Sequence, residues 1–123
     1  MSQPQRGEIW RVDFEPAEGS EANKERAAIV VSEDGLSPLE LRIVVPLTDW
    51  KGWYAKAPWI IEFKPAGQHG LAKRSGADCF QVRHVSTNRF QAKLGVATPQ
   101  QVDDVAAGIA LCVGWTGFSV ADL

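Results

Sequence analysis

The run from Arg6 to Ser32, RGEIWRVDFEPAEGSEANKERAAIVVS, constrains the fold more than any other part of the chain. Trp10, Val12 and Phe14 alternate with Arg11 and Asp13, the period of a strand with one buried and one wet face. Ala27 to Val31 is apolar throughout and reads as a central strand. The polar loop between them has about a dozen residues, well beyond the roughly two to five of an ordinary hairpin connection. Pro16 and Gly19 punctuate it, and it holds Ser20, Glu21, Asn23, Lys24, Glu25 and Arg26. Long polar loops held between rigid strands are where function concentrates. On charge alone the same loop reads equally well as a solvated hairpin connection.

The remaining pattern is also mostly strand. Leu41, Ile43, Val45 and Leu47 face one way, and Arg42, Val44, Pro46 and Thr48 the other. Pro46 cannot donate to a ladder and marks an edge or a bulge. Further strands are expected at Trp59 to Phe63, from roughly Asp78 to Val85, and near Phe90 to Val96, with a glycine-rich turn at Gly67 to Gly70. One helix follows. Thr98 is its N-cap, Pro99 its first residue, and Gln101 completes a capping box. Val102, Val105, Ala106, Ile109, Cys112 and Val113 form its apolar stripe, and Gly114 ends it. The fold class is mainly β (α+β): a small twisted antiparallel sheet or SH3-like barrel with a C-terminal helix packed on it. Residues 1–123 read as one domain, with 1–5 a loose leader and 115–123 a C-terminal extension.

A chain of 123 residues with 45% hydrophobic content can bury an ordinary core. There is no apolar leader region and no apolar run near the roughly 20 residues of a membrane span, so a soluble, cytoplasmic protein is expected. Cys79 and Cys112 lack CxxC spacing and a histidine cluster, and read as two buried free thiols. The net charge of −2 argues against a general nucleic-acid coat. Its distribution is uneven: Lys51 to Lys93 holds eight basic residues against Glu62 and Asp78, a balance of +6, and the remainder stands at −8. Such asymmetry can focus a phosphate backbone on one surface, unless the charges interleave on folding. The stretch DWKGWYAKAP sets Trp50, Trp53 and Tyr54 between Lys51 and Lys56. These aromatics can stack bases, cap the core or form a dimer contact. No zincin, P-loop or nucleophile-elbow motif is present. His69, in a glycine turn, reads as exposed, and His84 as a structural strand residue.

Arg6-Gly7-Glu8-Ile9-Trp10, Val12-Asp13-Phe14-Glu15-Pro16, Gly19-Ser20-Glu21 and Arg26 resemble the opening of the MazF/PemK (Kid) family of toxin endoribonucleases. Ala27 stands where that family usually has Pro. Val44-Val45-Pro46-Leu47-Thr48 resembles the family's Val-Val-Pro-x-Thr segment. Gln81 and Arg83 match a third motif, in which Phe80 replaces a carboxylate and Asp78 stands where one subgroup has a catalytic Arg. The resemblance runs from Arg6 to about Gly114 and implies a CcdB/PemK-like fold.

It also implies a function: a toxin of a type II toxin–antitoxin system that cuts single-stranded mRNA selectively. No metal or other cofactor is expected. The 2′-OH attacks the adjacent phosphorus and leaves a 2′,3′-cyclic phosphate and a 5′-OH. Arg26 and Thr48 are the residues such enzymes assign to catalysis, and Glu21 and Ser20 line the site. Arg26 suits charge stabilisation, because its planar fork matches a phosphoryl group and it hardly ever loses its proton. Glu21 is then the candidate general base. Ser20, Lys24, Trp50, Lys51, Trp53, Gln81 and Arg83 are the candidate RNA contacts. The implied partners are single-stranded RNA, a cognate antitoxin with an acidic, partly disordered tail, and a second copy in a homodimer, with no membrane. A gyrase-poisoning CcdB-like toxin and an inactive binding barrel are the open alternatives.

Overall fold

A computed structural model describes residues 3–14, 25–65 and 67–115. The alternating first run forms β1 (Glu8–Asp13), and the apolar second run forms β2 (Glu25–Val30). β2 begins two residues earlier than its apolar pattern, because Glu25 and Arg26 pair with Asp13 and Val12. β3 (Leu41–Asp49), β4 (Ile60–Phe63), β5 (Ser75–Asp78), β6 (Arg83–Ser86) and β7 (Phe90–Val96) follow, then α1 (Pro99–Cys112). Every ladder is antiparallel, and the strand order is β4-β5-β3-β2-β1-β7, with β6 also on β3. The sheet is open: the described ladders do not join β6 to β7, so it curls without closing into a barrel.

The expected strand from Asp78 to Val85 is two strands. A 3₁₀ turn at Cys79–Gln81 parts β5 from β6, and Asp78 caps it by accepting from Phe80 N. Both pieces pair with β3: β6 along Leu41–Val44 and β5 along Leu47–Asp49. Pro46 pairs with Ala28 of β2 and lies where β3 changes partners on its other side. It therefore marks a switch inside a central strand and not an outer edge. The missing N–H falls where neither β5 nor β6 offers a ladder acceptor.

Alternation sorts the core onto two faces. Trp10, Val12, Phe14, Ala28, Val30, Val44 and Val85 fill one, with Phe90 edge-on to Trp10. Ile9, Ile29, Val45, Leu47, Phe63 and Ala77 fill the other, beneath Val102 and Val105 of α1. The helix is capped as its sequence requires. Thr98 Oγ1 accepts from Gln101 N, and Gln101 Oε1 accepts from Thr98 N. Gly108 lets α1 sit on Cys79, whose Sγ would stand 2.5 Å from a Cβ at that position. The stripe stops short, however: Val113 is 71% exposed. Both cysteines are free, but only Cys79 is buried, which pushes its thiol up to about 12; Cys112, expected to be buried, is partly exposed.

Three other expectations are corrected. Residues 3–5 are tied down, because buried Arg42 must find acceptors. Its Nε donates to the Pro4 carbonyl and its Nη2 to Gln3 Oε1. His69 is 2% exposed and not at the surface. Its Nδ1 accepts from Leu71 N, so Nε2 carries the proton and donates to the Lys64 carbonyl at 2.6 Å. His84, expected as a structural residue, is exposed. No helix of the described residues is long and apolar enough to cross a membrane.

Candidate functional site

Two strand ends and one aromatic turn build the site. Arg26 is half-buried in β2, opposite Val12 of β1. The β2–β3 ladder ends at the pair Ala28–Pro46. Carried two residues further, the same register sets Arg26 opposite Thr48. Strand alternation then puts Arg26, Val44, Thr48 and Arg83, the partner of Val44, on one face of the sheet. That face is the one filled by the Trp10–Phe14 cluster, so the polar residues stand at the rim of an apolar interior.

Arg83 lies over the Phe14 ring, 5.1 Å from its centroid. Together with Asp13, His84, Ser86 and Arg89 it lines an open cleft of about 260 Å³. A guanidinium on an aromatic face keeps donors at its edge for a phosphate or a base. The adjacent Gln81 goes elsewhere. Its Nε2 donates to Asp78 Oδ2 at 3.0 Å, and it lines a groove with Trp59, Phe80, Leu111 and Cys112. Gln81 and Arg83, neighbours in the motif, are therefore not brought to one cleft. Asp78 is explained by the same contacts: it closes the 3₁₀ turn.

Thr48, one residue before the end of β3, lies opposite Gly76 of β5. Six residues on, a 3₁₀ helix at Gly52–Lys56 folds Tyr54 back to it, and Thr48 Oγ1 lies 3.0 Å from the Tyr54 hydroxyl. Trp50 and Trp53 both meet the Tyr54 ring edge to face. Trp53 is 59% exposed, whereas Trp50 is covered by Arg74, whose guanidinium sits 4.4 Å above its ring. Arg74 in turn donates to Glu62. Lys51 is exposed, and its carbonyl accepts from Tyr54 N. Ser20, Glu21 and Lys24 lie outside the described residues. The described residues hold no group of three or more His, Cys, Asp or Glu side chains placed to share a metal ion.

Tyr54, Phe14, His84 and Arg74 belong to this neighbourhood and are absent from the set expected on sequence. Only Tyr54 has a signal there, its place among the lysine-flanked aromatics. The basic excess between Lys51 and Lys93 is partly consumed inside the fold, since Arg74 pairs with Glu62 and Lys93 with Glu8.

The chain matches the family described as PemK-like, MazF-like toxin of type II toxin-antitoxin system over residues 5–113. Endoribonuclease MazF9 of Mycobacterium tuberculosis (strain ATCC 25618 / H37Rv) is 38% identical over 96 residues, which are 73% of this chain and 79% of that protein. Probable endoribonuclease MazF1 of the same organism is 47% identical over 49 residues, 35% of this chain and 53% of that one. The fold is shared with MazF from Deinococcus radiodurans at a TM-score of 0.75 and 20% identity, covering 93% of this chain and 99% of that one. It is also shared with a mycobacterial endoribonuclease solved with its cognate antitoxin, at a TM-score of 0.71 and 17% identity, covering 92% and 97%.

Proposed function

The chain belongs to the PemK-like, MazF-like toxins of type II toxin–antitoxin systems, a family whose named relatives are endoribonucleases, and on that premise we propose that it cuts single-stranded RNA with Arg26 and Thr48 at the reacting phosphate. The observation that carries this reading is the register of β2 on β3: its last pair is Ala28–Pro46, and carried two residues further it would set Arg26 opposite Thr48. A phosphoryl group between them meets a fork of guanidinium donors on one side and a hydroxyl on the other. Negative charge grows on its oxygens as the 2′-OH attacks, and fixed donors stabilise that charge more than they stabilise the ground state. The 2′ proton leaves to a base, for which Glu21 is the candidate. The P–O5′ bond breaks, and the 5′ oxygen takes up a proton, for which Arg26 is the candidate donor. The products are a 2′,3′-cyclic phosphate and a 5′-OH.

Exposed Trp53 beside Lys51, and Arg83 on Phe14, support a strand path on either side of the cut, with Ser20 and Lys24 as further contacts. Single-stranded RNA, a homodimeric state and an antitoxin with an acidic tail are the partners of this reading. A solved relative in complex with its cognate antitoxin supports the last of these. The curated relatives favour a nuclease over a gyrase poison or an inactive binding domain. The test is to incubate the purified protein with a long single-stranded RNA in EDTA and map the ends. Discrete cuts with cyclic phosphate and 5′-hydroxyl ends are expected. Intact RNA, or cutting that only a divalent ion restores, would overturn the metal-free reading.

A further inference from the structure

A hydroxyl can serve a transition state only if its proton is aimed, and Thr48 has a rigid neighbour that can aim it. The Tyr54 hydroxyl lies 3.0 Å from Thr48 Oγ1, and Tyr54 is 5% exposed. Its ring is clamped by Trp53 at 4.7 Å and Trp50 at 5.3 Å between centroids, both edge to face. Gly76 closes a further side, where a Cβ would stand 2.9 Å from Tyr54 Cδ2. The backbone is fixed as well: Tyr54 N donates to the Lys51 carbonyl, and Ala57 N donates to that of Tyr54.

The direction of the bond between the two hydroxyls decides what Thr48 can do. A threonine hydroxyl has one proton and two lone pairs. If Thr48 gives its proton to Tyr54, it has none for a phosphoryl oxygen. If Tyr54 donates, the Thr48 proton is released toward the substrate, and the two bonds polarise each other in one direction. A phenol is more acidic than an alkyl hydroxyl, so an anion at Thr48 draws the chain into the second arrangement. We propose that Tyr54 is the positioning residue of the site: its hydroxyl donates to Thr48 Oγ1 and turns the Thr48 proton onto the phosphoryl group of the RNA. Tyr54 itself touches no substrate, and no bond to it forms or breaks. The inference rests on Thr48 taking part in RNA cleavage, as read above.

The experiment compares parent, Thr48→Val, Tyr54→Phe and the double variant on one single-stranded RNA. Tyr54→Phe keeps the ring and its packing. Its kcat should fall about tenfold with KM nearly unchanged, because the Tyr54–Thr48 hydrogen bond acts on the transition state and not on substrate binding. The double variant should be no slower than Thr48→Val alone, because Tyr54 acts only through Thr48. A second arm places a fluorinated tyrosine at position 54, with the same packing and a more acidic phenol. The alkaline fall of kcat should move to lower pH, since a phenolate cannot donate, and should not move in a Thr48→Val background. A Tyr54→Phe loss that multiplies that of Thr48→Val, or a parent-like kcat with an unmoved alkaline limb, would reduce Tyr54 to packing. If Tyr54→Phe does not fold, the pH arm decides. If Thr48→Val itself cuts at the parent rate, the reading of Thr48 fails, and the proposal falls with it.

Discussion

Arg26 stands in a strand and not in the loop its polar neighbours suggest, and this changes what its substitution should do. A guanidinium held in a ladder is preorganised, so its removal should be felt in rate. Arg26→Ala is expected to lose about a hundredfold or more in RNA cleavage, and Arg26→Lys to recover only part, because an ammonium cannot make the two-pronged contact. Single-turnover cleavage with parallel thermal melts checks both. Thr48→Ser should outperform Thr48→Val. In the fold, removal of the Thr48 hydroxyl leaves the buried Tyr54 hydroxyl without a partner, at a cost of about 1–2 kcal/mol, which chemical denaturation would measure. Arg26 and Thr48 are legible in the sequence because whole motifs carry them. Tyr54 is legible only as an aromatic, since its role depends on a turn that folds six residues back onto β3.

At the level of the elements, local chemistry is plain in the sequence and long-range partnering is not. The capping box of α1 is complete within four residues and can be read directly. The break between β5 and β6 cannot, because Asp78 to Val85 carries strand-forming residues and the interruption is imposed by β3 changing partners. The helix seat gives one prediction. Gly108→Ala drives a methyl toward Cys79 Sγ, and overpacking of this kind typically costs about 1–3 kcal/mol. A lowered melting temperature with parent-like RNA cutting at low temperature is expected. The β1–β7 seam gives another. Burial pushes the Glu8 carboxyl up, but hydrogen bonds from Trp10, Gln5 and Lys93, with the Lys93 charge, hold it below the usual 4.5. A depressed carboxylate stabilises the fold above its unfolded value and loses that contribution as pH falls through the folded value. Stability should therefore decline below about pH 4.5, and Glu8→Gln should flatten that limb in melts taken across the range.

For the whole molecule, the fold class follows from alternation and one helix, whereas the curled, open form of the sheet depends on pairings that no local pattern encodes. The charge asymmetry overstates the binding surface, because two of its cations are engaged by Glu8 and Glu62. On the proposed reading an RNA footprint of about three phosphates is expected, with a log–log salt slope of roughly −2 in binding titrations. Phe80, Leu111, Val113 and Trp115 leave an exposed apolar band on and beside the C-terminal helix. Bands of this kind mark association surfaces. Light scattering at micromolar concentration should report a dimer in the absence of antitoxin, and a monomer would count against that assembly.

The change of partners at Pro46 has a consequence for how such a protein diversifies. Everything from that residue to Asp78 hangs on the outer end of β3: the hydroxyl at Thr48, the phenol beneath it, the exposed indole and the hairpin that seats them. The arginine across the ladder belongs to the other half. Recombination with junctions at Pro46 and at the turn before β6 would exchange this segment as one heritable block and leave Arg26 and the helix in place. Such chimaeras would carry the Thr48 hydroxyl and the phenol beside it together, so that the pair is exchanged whole or not at all.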